Sequence, residues 1–475
     1  MKMFAQASQV VAMRSLLMLL MIQSSHSAMS STGATSSPKQ VCIIGAGPAG
    51  LVFAHLLLQQ NPTVQIQVLE KSPREGTPDA NAFGFGVGGR HERCLENIPG
   101  LWERVEAVSA PTPSGLRLVG RSTLCNELMT QLEEKHGSRC NISFGGACST
   151  IDLDRQVVTV DNGEEIPYDL LVGADGVNSY VRQELIKDGG IQEEHFLRPV
   201  RWKSLKLPDQ KGVFPPDAFK PLSFKTFRGA LFPRYPGSFT ALIFWKDLDL
   251  ANPRGIENER DLANAITTAL QPKANRWTLA RNSLFGSKVM ASDENVDVRF
   301  DEADLKRFVD SRPGREHFLK LDKFHHRGSV ALLGDSAHGM YSLLGQGAAC
   351  AFQSALTLAK SLEKESNLST ALELYSAEAV PEAHAVTDLN LVSHALFDGN
   401  IWTNLVAVPL LLFNTLRGKL LMKRLHQDVT YRQLLNENIC LVWFSRLLWK
   451  RERIALTASK IVTEQDGTRL AFANQ

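Results

Sequence analysis

Apolar residues along this chain follow two rhythms. Short unbroken runs, Val41-Cys42-Ile43-Ile44, Leu170-Leu171-Val172 and Val330-Ala331-Leu332-Leu333, read as strands buried on both faces. The first and the last lead through glycine turns into helical stretches: Leu51 to Gln60 after the first, and an Ala- and Leu-rich stretch from about Ala348 to Leu362 after the last. A further strand, Gln65 to Leu69, ends in Glu70. Between about residues 191 and 300 the rhythm changes. Aromatic and β-branched runs alternate there with turns, which predicts a separate sheet. The last hundred residues read as helices. The expected fold class is α/β. A Rossmann-like domain in two pieces, 39–190 and 301–376, is interleaved with a mixed-sheet domain at 191–300. A helical region follows at 377–475.

The turns carry the chemistry. Gly45-Ala46-Gly47-Pro48-Ala49-Gly50 is G-x-G-x-x-G between a strand and a helix, and Glu70 follows twenty residues after Gly50. In that context the motif is a dinucleotide fingerprint. Gly45 allows the tight turn, Gly47 lets backbone N–H groups reach a pyrophosphate, and Gly50 lets the helix lie close on the strand. Glu70 is placed to accept hydrogen bonds from a ribose. Asp175-Gly176, after the strand ending at Gly173, is by itself only a turn signal. Gly334-Asp335 ends another strand, and Gly345-Gln346-Gly347-Ala348 opens the next helix. An acid at the end of a buried strand is costly unless something polar meets it. A helix N-terminus favours anions. Together these turns predict a site for a polar, partly anionic ligand.

Composition narrows the function. With 475 residues, 44% hydrophobic and 21% charged, the chain suits two or three globular domains. A net charge of +2 gives no reason to expect nucleic acid as a partner. The seven cysteines, Cys42, Cys94, Cys125, Cys140, Cys148, Cys350 and Cys440, contain no C-x-x-C pair. That argues against a disulfide framework and structural zinc. No H-E-x-x-H, no G-x-S-x-G and no metal-spaced His/Cys cluster occurs, so no metal site and no side-chain nucleophile is expected. The hard chemistry falls to a cofactor. The segment Gly84 to Gly89 reads as a loop beside that cofactor, and His338 as a packed turn residue.

The order G-x-G-x-x-G, then D-G, then G-D with G-Q-G, resembles the single-component FAD-dependent aromatic hydroxylases of the p-hydroxybenzoate hydroxylase type. Arg121-x-x-Leu124-x-x-x-Leu128 fits their arginine before a leucine-spaced helix. Within that group the chain is most similar to the kynurenine 3-monooxygenases. Trp202 to Pro208, Phe232-Pro233-Arg234 with Ser238 to Phe244, and the proline-led segment Pro381 to Leu389 carry that likeness. The resemblance spans about Gln40 to Leu396. It implies FAD as cofactor, NADPH as co-substrate, and O2 and a small aromatic molecule as partners. Arg121 would hold the flavin chain, Asp335 its ribityl or pyrophosphate region, and the Gly345 to Ala348 turn its ring. Asp175 joins the cofactor set. The alternatives are an epoxidase or reductase of the same fold, or a non-catalytic FAD-binding protein.

The chain also departs from that pattern. Ser342 stands where the family has Pro, Ala349 where it has Asn, and Ser354 near an expected acid. Ser393 and Leu396 replace a polar Asn and a Glu. The family's arginine for the amino-acid carboxylate falls at Gly88, with Arg90 two residues away as the substrate-binding expectation. Residues 1–38 hold no acid, with Lys2 and Arg14 before the apolar run Ser15 to Ile22 and a Ser/Ala/Thr-rich tail. They read as a targeting segment. Family resemblance implies a mitochondrial address; the cysteine usage suits a mitochondrial or plastid one, and the apolar run suits a secretory start better. The stretch Val406 to Phe413 is too short to span a bilayer. Basic residues from Arg417 to Arg453 allow a peripheral membrane contact.

Overall fold

The computed structural model describes residues 37–74, 84–112, 115–215, 220–234, 237–271, 297–397, 409–410 and 421–450. The expected targeting segment lies outside the described residues except for Ser37 and Pro38. So does Val406 to Phe413, except for residues 409–410.

Six strands form the first sheet, in the order His325–His326, Val330–Leu332, Leu170–Gly173, Gln40–Ile44, Gln65–Glu70, Cys140–Phe144. The last five pair in parallel, and His325–His326 folds back antiparallel on the edge. The unbroken apolar runs are the central strands, covered on both faces. From Gln40–Ile44 the chain goes first to one side, at Gln65–Glu70, and later to the other, at Leu170–Gly173. That reversal opens a crevice at the carboxyl ends of the strands, where open α/β sheets bind ligands. The helix Pro48–Gln60 is buried from Ala49 through Leu58. Helices Gly347–Lys364 and Arg121–His136 both pack on it, which is why its sequence shows no polar face.

A second sheet of five antiparallel strands runs Lys220–Ser223, Arg228–Arg234, Ser238–Trp245, Glu193–Leu207, Gly314–Leu321. Leu205, Leu207, Leu231, Phe239, Ala241, Ile243 and Trp245 share one face and pack on helices Glu259–Leu270 and Glu302–Asp310. Alternate residues, Ala230, Phe232, Arg234, Thr240 and Leu242, therefore point to the opposite face.

This sheet reaches past the boundary expected at residue 300. Glu302–Asp310 buries Leu305 and Phe308 in its core, and Gly314–Leu321 pairs with Glu193–Leu207. Lys203 anchors the join. Its fully buried ammonium donates to Asn252 Oδ1 at 2.8 Å and to the carbonyl of Phe308 at 2.6 Å. A cation at a helix C-terminus meets the negative end of its dipole. The dinucleotide domain resumes only at His325.

A boundary at residue 376 falls inside a single helix, Leu368–Phe397, and Pro381 lies within that helix rather than at its start. A small sheet, Gly84–Val87, Arg117–Gly120 and Ala110–Pro111, packs through its middle strand on Arg228–Arg234.

Candidate functional site

The three glycine turns meet at one place. Gly45 has φ +106°, and a Cβ there would lie 2.4 Å from the Ala174 carbonyl oxygen, beside the Asp175 turn. A Cβ on Gly50 would lie 2.5 Å from the Gly45 oxygen. One on Gly334 (φ +60°) would lie 2.9 Å from Ala49 Cβ and 3.3 Å from Ala351 Cβ. Close approach of backbone requires glycine at 45 and 50, and the Ala49 and Ala351 methyls require it at 334. At Gly47 a Cβ would meet Arg121 Nη2 at an ordinary 3.6 Å. Residues 45–50, 121, 174–175 and 334–351 thus surround one cradle, although they are scattered over 300 positions.

The cradle is electrically suited to an anion. Helix Pro48–Gln60 starts at Gly47 with no side-chain cap and no acid in its first turn. Helix Gly347–Lys364 starts at Gln346 in the same way. Both leave N–H groups and the positive end of a helix dipole facing the crevice.

Asp335, at the start of the short helix Asp335–His338, is solvent-exposed. Protein crowded around it raises its carboxyl pKa, and the Arg121 charge works against that rise. Among the described residues, no atom beyond the adjoining backbone lies within 4 Å of a Cβ at Gly345 (φ +63°) or Gly347. That is the space a flat ring needs to approach backbone.

Several expected residues have further tasks. Glu70 accepts from the Ala46 N–H and the Ser72 N–H, both at 2.9 Å, so it also braces the glycine loop. Asp175 Oδ2 accepts from Tyr180 N–H at 2.7 Å and Val181 N–H at 3.2 Å, at the start of helix Tyr180–Lys187. Its Oδ1 is buried without a hydrogen-bond partner, and burial raises the carboxyl pKa.

The Gln346 side chain turns inward. It donates to the Leu344 carbonyl at 3.1 Å and accepts from the Tyr431 hydroxyl at 2.9 Å, so only its backbone faces the cradle. His338 is buried and hydrogen-bonded to the Ser354 hydroxyl at 2.8 Å. Burial holds its pKa down at about 4, and it is a packed residue as expected.

Arg90 differs most from its expected role. It is buried, donates through Nε to the Leu425 carbonyl at 2.8 Å and through Nη2 to Val429, and stacks 4.2 Å over the Tyr431 ring. It clasps the C-terminal segment where a substrate carboxylate was expected. The neighbouring Gly89 is required by the same packing, since a Cβ there would lie 2.5 Å from the His426 carbonyl oxygen.

The structure also assembles residues that the sequence did not single out. Glu316, on the second sheet, is a buried carboxylate paired with Arg198. It accepts from Ser342 N–H at 3.0 Å and from the Ser342 hydroxyl, and so fastens the turn that leads to Gly345. Ser342, which departs from the family's Pro, supplies that link. Arg182 joins Glu193 on the same sheet to the Ser336 carbonyl of the Gly334 turn, at 3.1 and 3.0 Å. Both links tie the second sheet to the cradle. Only strand alternation hinted at a buried Glu316; its partner lies 118 positions away.

A family model described as an NAD(P)-binding Rossmann-like domain matches residues 43–92. The kynurenine 3-monooxygenase of Salinispora tropica is 26% identical over 388 residues, 74% of this chain and 79% of that protein. That of Stenotrophomonas maltophilia is 27% identical over 396 residues, 75% and 79% of the two chains. Among solved structures, 2-methyl-3-hydroxypyridine-5-carboxylic acid oxygenase superposes with a TM-score of 0.56 at 23% identity, covering 78% of this chain and 95% of that one. Pseudomonas aeruginosa PqsL, described as a probable FAD-dependent monooxygenase, gives 0.52 at 20% identity, covering 75% and 95%. The structural matches establish the shared fold. Among the described residues no helix is long and apolar enough to cross a membrane.

Proposed function

From its relationship to the FAD-dependent aromatic hydroxylases and the kynurenine 3-monooxygenases, we propose that the chain is an FAD-dependent, NAD(P)H-consuming monooxygenase. Its substrate is a small aromatic molecule. The observation that carries this reading is the cradle itself. Two uncapped helix N-termini, Arg121 and Asp335 line an open turn, and buried side-chain links tie that turn to a separate sheet.

Each group has a role in this reading. N–H groups of the Gly45 to Gly50 loop and the Pro48–Gln60 dipole hold the pyrophosphate. Glu70 accepts from the ribose and Arg121 holds the flavin chain. Asp335 meets the ribityl region. Backbone N–H groups from Gly345 to Ala348 face the ring, and the dipole of Gly347–Lys364 favours negative charge there. FAD held there would supply two-electron transfer from NADPH to O2, with one oxygen entering the aromatic ring and the other leaving as water. Glu316 and Arg182 act indirectly, by holding the two sides of the crevice in register. Orientation of this kind is where a fold contributes to flavin chemistry.

The test is NADPH consumption by the FAD-loaded protein with an aromatic panel that includes L-kynurenine, with product assayed in parallel. Substrate-stimulated consumption with hydroxylated product is expected. A flavin-loaded protein that none of the panel stimulates would contradict the reading.

Two further parts rest on composition and exposure. Residues 1–38 support an organelle address, which a fluorescent fusion of that segment tests. Ile439, Trp443 and Leu447 are exposed at four-residue spacing on the helical stretch 439–450, beside Arg446 and Lys450. They support a peripheral membrane contact. Flotation with anionic vesicles, compared for the protein and its Trp443→Ser variant, tests it.

A further inference from the structure

We propose that Arg201 and Arg315 form an anion site that takes a single phosphate group, at the edge of the second sheet and on the side away from the Glu316–Ser342 latch.

Strand pairing makes the site. Arg201 on Glu193–Leu207 lies directly opposite Arg315 on Gly314–Leu321, and the second of these is an edge strand. Directly opposed residues of an antiparallel pair share a face, with Cβ atoms about 4.5–5.5 Å apart. Like charges so placed destabilise the pair. By alternation Arg201 shares its face with Leu205 and Leu207, on the helix-covered side. Glu316, next to Arg315, points to the opposite face and pairs there with Arg198, so it neutralises neither guanidinium of the opposed pair.

The two groups are unequally provided for. Arg201 donates through Nε and Nη2 to the Leu248 carbonyl, at 3.1 and 2.8 Å. That acceptor is neutral, so the charge is left without a counterion. Among the described residues Arg315 donates no hydrogen bond and joins no ion pair, and its Nε is buried without a partner. Burial lowers its pKa, and the Arg201 charge lowers it further. Asp247, in the loop that supplies the Leu248 carbonyl, is itself held by Arg254 at 2.7 Å.

Two opposed, part-buried guanidinium groups cost stability until an anion lies between them. One fork fills a carboxylate, which has two oxygens and a single charge. A phosphate carries about −1.5 to −2 charge at pH 7 and has enough oxygens to accept from both forks at once. Phosphate is therefore the match for the pair. Its source is either free phosphate or a phosphate monoester such as the 2′-phosphate of NADPH.

The test uses the full-length protein loaded with FAD, so that the cradle is filled. Inorganic phosphate, acetate and 2′,5′-ADP are titrated calorimetrically at constant ionic strength, and melting temperature is read in phosphate-free buffer. One phosphate is expected to bind per chain, with acetate weaker. Arg315→Met should weaken phosphate at least about tenfold with FAD content unchanged, and Arg315→Lys should keep an intermediate affinity. In phosphate-free buffer Arg315→Met should melt no lower than the wild type, since the repulsion is gone.

Joint loss of phosphate and 2′,5′-ADP in Arg315→Met supports the site with a phosphate monoester as its source. Loss of phosphate alone supports it with free phosphate. Phosphate binding that is absent, matched by acetate, or unchanged in Arg315→Met overturns the assignment. A clear drop in melting temperature without phosphate marks Arg315 as a packing residue and overturns it too. A protein that binds phosphate as expected but hydroxylates no aromatic would contradict the functional reading alone.

Discussion

The cradle and its supports are built from different materials. The cradle is backbone: glycines at 45, 50 and 334 that no other residue can replace without collision, and N–H groups at two helix starts. The supports are side chains, Arg198, Glu316 and Arg182, brought together by strand pairing over long separations. A backbone site tolerates almost no substitution but recognises only what dinucleotides share. A side-chain site changes its ligand when one residue changes. The dinucleotide part of such an enzyme can therefore stay constant while its substrate varies.

Breaking the cradle should have the largest effect. Gly45→Val meets the Ala174 carbonyl at a positive φ, and is expected to give no folded, flavin-containing protein. At Gly47 the space is ordinary, so Gly47→Val should fold and lose at least about tenfold in FAD affinity. Circular dichroism together with flavin content separates the two. If both fold and fill, the cradle is misassigned.

Acid should act next, on the packing behind the cradle. His55, His91 and His338 are each about 1% exposed, and burial holds each pKa near 4. The folded value lies below the unfolded 6.5, so the unfolded chain binds the extra protons. Stability is full above pH 6.5 and falls as pH drops from 6.5 towards 4. The loss is on the order of 3 kcal/mol per histidine once all are protonated. Urea midpoints at pH 7 and pH 5 should differ in that direction, and a flat profile would argue against neutral buried imidazoles.

The supports come third. Glu316→Leu removes the carboxylate that faces the buried Arg198 guanidinium, and should cost about 3–5 kcal/mol. The double variant with Arg198→Met should recover much of that. FAD-saturated urea denaturation of the three proteins checks it, and equal stability of single and double variants would refute the pairing.

Arg90→Met should have the smallest effect, about 1–3 kcal/mol. It should appear as faster proteolysis in the C-terminal segment rather than as loss of flavin.

What the sequence made legible follows the same division. The strands at 40–44, 65–70 and 170–173 and the turns at 45–50 and 334–335 were readable because their rules are local: a run of apolar residues, a glycine, a helix. The Glu316–Ser342 latch spans 26 positions and Arg198–Glu316 spans 118, and no local rule links them. The boundary at residue 300 was misplaced because Gly314–Leu321 carries charges at Arg315, Glu316 and Lys320 that hide a half-buried strand. Arg90 carried a family expectation that neither its neighbours nor its spacing could check. Its partners, Leu425, Val429 and Tyr431, lie more than 330 positions downstream.

The proposed function requires that electrons delivered at the backbone cradle drive oxygen insertion into a small aromatic molecule. Its most direct test supplies heavy-isotope O2 and NADPH to the FAD-loaded protein with a panel of small aromatic molecules, L-kynurenine among them. Product is then read by mass spectrometry. The account predicts one heavy oxygen in a ring-hydroxylated product, formed in step with NADPH consumed. Consumption that yields only hydrogen peroxide across the panel, or product without the label, would contradict it.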